Sequence, residues 1–138
     1  PIEREVSVGE RRSLARTAKR QMLDQLLLDP NPRVVSQVLK HSDLRVSDVL
    51  QIATRRPNTT EILLEIVSEI RWYKSSKVRE ALVLNPYNST GLSLRLLPTL
   101  GINKLRSVRN ATHIHPSVRE TAEMFVEIRE KRTAPWKV

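Results

Sequence analysis

Several short patterns in the chain carry residue types that could do chemistry. His113-Ile114-His115 offers two imidazoles of the kind that bind zinc. The third histidine, His41, lies far away in sequence, and no acidic residue belongs to the local cluster. No nucleophile or orienting acid sits at a spacing that would make a catalytic set. Asp24 with Asp29, and Asp43 with Asp48, could be taken as paired carboxylates for acid–base work. They lack the flanking aromatics that hold a sugar ring, and helix ends and turns account for them better. The glycines Gly9, Gly91 and Gly101 are scattered, so no phosphate-cradling loop is formed. The chain has no cysteine, which removes disulfides, thiolate metal sites and cysteine nucleophiles together. No catalytic residue, metal ligand or cofactor is expected, and the chain is not expected to be an enzyme.

Three triplets match the acceptor pattern for N-linked sugars: Asn58-Thr59-Thr60, Asn88-Ser89-Thr90 and Asn110-Ala111-Thr112. All three lie in turns between apolar stretches. Asparagine suits tight turns there, and serine or threonine suits the start of a helix. The opening segment "PIEREVSVGERRS" has no apolar secretory core. The triplets therefore read as turns with caps, and a cytoplasmic location is expected.

The most site-like segment is "RWYKSSK", Arg71 to Lys77. Trp72 and Tyr73 are interleaved there with Arg71, Lys74 and Lys77, a pattern that can stack on bases or anchor a protein interface. A simpler role is also open, in which Trp72 packs over a turn and the lysines keep it soluble. The segment lies within the most basic part of the chain. Lysine and arginine number 24 against 15 acids, a formal charge of +9. Residues 71–109 hold eight basic residues and a single acid, Glu80, and so carry +7 of that excess. A surface of this kind favours polyanionic or acidic partners but says nothing about fold.

These residues must be positioned by helices. No period-two alternation lasts for the length of a strand, while helical spacing recurs. Leu14, Ala18, Met22 and Leu26 form one stripe of a helix expected from Glu10 to Leu28. Ile62, Leu63, Ile66, Val67 and Ile70 form a second, and Val118, Ala122, Phe125 and Ile128 a third. The chain is therefore expected to be all-α. Turns of similar chemistry break it: "DPNP", "RRPNTTE", "NPYNSTG" and "NATHIHPS". Their first residues, Asp29, Arg55, Asn85 and Asn110, are 26, 30 and 25 residues apart, a degenerate internal repeat.

A second, shorter break divides each unit. Helices are expected at Arg33–Lys40 and Arg45–Thr54, at Thr60–Ile70 and Lys77–Leu84, and at Leu92–Leu100 and Asn103–Arg109. A long helix, Ser117–Arg132, follows. Caps are expected at Asn31 with Pro32 behind it, at Thr59 or Thr60, at Ser76, at Ser89 or Thr90, and at Ser117 or His115. Residues 1–9 read as a flexible lead, 10–132 as the helical domain and 133–138 as a tail.

The run "KVREALVLNPYNSTGLSLRLLPTLGINKLRSVRNATHIHPSVRETA" resembles a bacterial HEAT-like repeat group akin to leucine-rich-repeat-variant proteins. The likeness is clearest over residues 50–125, in "ALVLNP" and "LRLLP"; the chain departs by having Tyr-Asn-Ser-Thr where the group usually has a second proline. The resemblance implies a short right-handed α-solenoid of about three helix pairs, with an N-terminal helix and a long C-terminal capping helix. It implies an interaction scaffold and transfers no catalytic residue. In that architecture the second helices line an inner face. Summed over them the charge is +4, against zero for the first helices and the closing helix.

Arg71, Trp72, Tyr73, Lys74, Lys77, Arg79, Lys104, Arg106 and Arg109 are accordingly the expected partner-binding residues. The expected partner is a protein of acidic character. The alternative is a nucleic acid held by its phosphates on the basic inner face. Neither a membrane nor a small-molecule substrate is expected.

Overall fold

Proline and asparagine punctuate the chain, and helices form in the intervals they leave. In a computed structural model, residues 6–133 are described and fold into ten α-helices. Helix α1 spans Val8–Thr17, α2 Arg20–Leu26, α3 Pro32–Val38, α4 Val46–Thr54 and α5 Thr60–Ser68. Helix α6 spans Ile70–Tyr73, α7 Ser76–Leu84, α8 Thr90–Leu96, α9 Ile102–Asn110 and α10 Pro116–Thr133. A short 3-10 turn, Leu97–Thr99, closes α8. Among the described residues there is no strand, and the all-α expectation holds. No helix among them is long and apolar enough to cross a membrane.

Caps set most of the starts. The Asn31 side chain accepts from the Arg33 N–H at 2.9 Å, and Pro32 occupies the first helical position, where its missing donor costs nothing. Thr59 accepts from the Ile62 N–H at 3.2 Å and Ser89 from the Leu92 N–H at 3.1 Å. The cap of α7 is Ser75 rather than Ser76, because the helix opens one residue earlier than the apolar pattern suggests. For α10 the proline decides. Pro116 is the first helical residue, and His115 Nδ1 accepts from the Ser117 N–H at 3.1 Å.

Larger differences from expectation occur at three boundaries. The single helix over 10–28 is two helices, because Ala18 turns to an extended conformation at ψ 134° between α1 and α2. The break resets the helical phase, so Ala15, Leu23 and Leu26 are buried while Leu14 and Met22 face outward. The "RWYKSS" break contains a full turn of helix, α6. Ile70 is left 71% exposed, outside the stripe expected to bury it. Ser7 caps α1 from Val8, so Val8 and Gly9 are helical, while 1–5 and most of the expected tail, 134–138, lie outside the described residues.

Eight of the ten helices pack on a helix beyond their chain neighbours. Helix α1 lies on α3, α3 on α5, α4 on α7, α7 on α9, and α8 on α10. The core runs continuously through these contacts and includes Leu23, Leu39, Ile52, Ile66, Leu82, Leu97 and Leu105, all fully enclosed. Each such side chain stabilises the fold by about 1.5–3 kcal/mol relative to exposure.

Candidate interaction surface

The basic residues divide by what their side chains hold. Arginine presents a planar fork that can satisfy two or three carbonyls at once, and much of the arginine here is spent on turns. Burial lowers the pKa of Arg55, which donates to the Leu27 carbonyl at 2.9 Å and the Asp29 carbonyl at 2.8 Å. Asn85, itself buried, donates to the Ala53 and Arg55 carbonyls at 2.8 and 3.3 Å. Arg56 and His113 both reach the Leu84 carbonyl, at 3.1 and 2.8 Å. Four successive joints, from 27–29 to 113, are thus tied in series by side chains that each reach another joint.

The turns between α1 and α2, α3 and α4, α6 and α7, and α8 and α9 are tied in the same way. His41 is buried, with Nε2 at 2.7 Å from the Ala18 carbonyl and Nδ1 accepting from the Asp43 N–H at 3.1 Å. With Nδ1 accepting, Nε2–H is the donor to the Ala18 carbonyl. Arg71 donates to the His41, Ser42 and Leu44 carbonyls at 2.8, 3.2 and 2.5 Å. Arg79 bridges the Tyr73 and Thr99 carbonyls at 2.6 and 3.4 Å. Arg129 donates to the Leu100 carbonyl, and to Pro98 at 3.0 Å. Arg20 joins Asp48 at 3.0 Å, Asp24 at 3.1 Å and the Asp43 carbonyl at 2.9 Å. The hydrogen bonds to Asp24 and then Asp48 raise its pKa.

The residues expected to bind a partner fall into three groups. Trp72 is 2% exposed, donates Nε1–H to the Leu39 carbonyl at 2.7 Å and lies under the Arg71 guanidinium at 4.2 Å. Its ring is enclosed, and neither base stacking nor interface anchoring is open to it in this conformation. Tyr73 is half-buried with Arg79 over its ring at 5.4 Å. Arg71, Trp72, Tyr73 and Arg79 therefore form one internal clamp. Lys104, Arg106 and Arg109 on α9 form a second group, each facing an acid: Glu80 at 3.6 Å, Glu130 at 3.2 Å and Glu123 at 3.4 Å. The charge counted on α9 is thus answered by acids of α7 and α10. Lys74 and Lys77 form the third group, both exposed, and engage in no ion pair among the described residues.

Lys19, Lys40 and Arg45 share the situation of Lys74 and Lys77: each is exposed, in a turn or at the first or last residues of a helix bordering it. Helical periodicity does not single them out. Their common signal is position, one or two cations beside the breaks α1–α2, α3–α4 and α6–α7.

Two of the three sugar-acceptor triplets have a structural explanation. Asn58 donates backward to the Ile52 and Arg55 carbonyls, while Thr59 caps forward onto α5. Asn88 donates backward to the Leu82 carbonyl at 3.1 Å, while Ser89 caps α8. In both, asparagine closes one helix, the hydroxyl residue beside it caps the next, and the threonine that completes the triplet is that helix's first residue. A depression of about 350 Å³ lies at the second of these joints, lined by residues that include Asn88, Ser93, His113 and His115. Among the described residues, no three His, Asp or Glu side chains gather as a metal-ligand set.

Comparison with protein families, with curated proteins and with solved structures finds no match for this chain.

Proposed function

We propose that the chain is a non-catalytic helical-repeat module, a short α-solenoid of HEAT-like pairs, that binds an acidic protein through an extended basic surface. One observation carries this reading: successive joints are each tied back by a side chain to the joint 26 to 32 residues earlier. Arg55 reaches back to the 27–29 joint, and Asn85, thirty positions on, reaches back to the 53–55 joint. Asn58 and Asn88, also thirty apart, close their preceding helices through equivalent carbonyls, Ile52 and Leu82. A chain built of such units extends a surface rather than enclosing a pocket, and its chemistry lies in what that surface exposes. What it exposes is cationic.

The enclosure of Trp72 favours a protein over a single-stranded nucleic acid, which would use an open aromatic face. Fluorescence anisotropy with labelled polyglutamate, and with duplex and single-stranded DNA, across a salt series tests the assignment. Polyglutamate is expected to bind. Binding of DNA alone, falling steeply with salt, would move the function to phosphate-backbone recognition. Binding of neither at low salt would remove the basic surface as a functional element.

A further inference from the structure

We propose that the edge formed by the turns within the helix pairs is a docking track for an extended acidic segment carrying a carboxylate at every third residue. The proposal rests on the helical-repeat reading above. Consecutive turns on this edge are joined by hydrogen bonds: His41 to Ala18, Trp72 to Leu39, Arg71 to Leu44, and Arg79 to both Tyr73 and Thr99. The turns therefore lie side by side in chain order.

Each turn joins the negative C-terminal end of one helix to the positive N-terminal end of the next, and the side chains just named cover carbonyls at the C-terminal ends and in the turns. Outside the clamps stand Lys19, Lys40, Arg45, Lys74 and Lys77, all exposed and in no ion pair among the described residues. Counting Arg20, Arg71 and Arg79 with them, against Asp24, Asp43, Asp48 and Glu69, the edge carries a net +4.

Spacing selects the partner. Packed helices lie about 8–10 Å apart, so the cations of successive turns repeat on that scale. A polyproline-II segment rises about 3.1 Å per residue with three residues per turn, so every third side chain falls on one face about 9.3 Å apart. The two repeats match. Nucleic-acid phosphates recur about every 3.4 Å along a duplex strand, and most would pass between the cations unpaired.

The test uses three labelled probes of equal charge: a Glu-Pro-Pro repeat peptide, a peptide of the same composition with its glutamates contiguous, and a single-stranded oligonucleotide. Anisotropy is read for the full chain and for two variants whose helicity and melting are checked first. The edge variant combines Lys19→Gln, Lys40→Gln, Lys74→Gln and Lys77→Gln; the control combines Lys104→Gln, Arg106→Gln and Arg109→Gln. The spaced peptide is expected to bind most tightly, to lose about tenfold or more with the edge variant, and to change less than about threefold with the control. Equal affinity for both peptides, or full affinity in the edge variant, overturns the track while leaving acidic-protein binding in place. Failure of both peptides to bind the unaltered chain at low salt overturns the functional reading as well. Preference for the oligonucleotide overturns the track in favour of phosphate recognition.

Discussion

The Trp72 indole donates its Nε1–H to the Leu39 carbonyl at 2.7 Å, joining positions 33 residues apart. The bond satisfies the end of α3 with a side chain from α6. It also places a large apolar ring, only 2% exposed, between the two turns. Burial of the ring and satisfaction of the carbonyl are one interaction.

Trp72→Phe is expected to keep much of the ring packing and lose the donor, lowering stability by about 1–3 kcal/mol. Trp72→Ala also opens a cavity and should cost about 3–5 kcal/mol. Thermal and urea melts followed by circular dichroism measure both. Unchanged stability in Trp72→Ala would mean that the residue stands outside the core.

Arg55→Lys tests whether the guanidinium fork, and not the charge alone, secures the joint. An ammonium can serve one of the Leu27 and Asp29 carbonyls but not both in the same geometry. The expected loss is about 1–3 kcal/mol in urea unfolding. Arg33→Lys, at an exposed position, should stay within about 0.5 kcal/mol.

The turn triplets predict paired effects. Ser89→Ala should lower stability by about 1 kcal/mol through the lost cap. Asn88→Ala should cost about 0.5–1.5 kcal/mol through the lost bond to Leu82. Both measurements are made on protein from a host that adds no sugar. A triplet serving only as a sugar acceptor would leave those melts unmoved.

The helical class and most joints were legible because proline, asparagine and hydroxyl residues act locally. Pro32 and Asn31 start α3 by their own geometry, and no distant contact is needed. The break at Ala18 was not legible, since "TAKR" contains neither proline nor glycine. There the extended conformation accompanies a tertiary bond, in which the Ala18 carbonyl meets His41 Nε2 from 23 positions away. The site was legible only as a sum of charge. Composition cannot separate Arg71, held by three carbonyls, from Lys74, held by none among the described residues, because the difference lies in neighbours distant in sequence.

The cations of α9 should behave differently from the arginines of the turns. Arg109 and Glu123 are 3.4 Å apart and both partly exposed, as are Arg106 and Glu130 at 3.2 Å. Water and salt screen such pairs, so a double-mutant cycle on Arg109 and Glu123 should give a coupling of about 0.2–1 kcal/mol. Raising the salt to about 1 M, where the screening length falls to about 3 Å, should remove most of it. Arg55→Lys should lose a similar amount at either salt, because its bonds are partly buried and run to neutral carbonyls. Urea melts at low and high salt separate the two behaviours. A coupling of several kcal/mol at Arg109 that survives salt would place α9 among the structural clamps and remove it from the surface open to a partner.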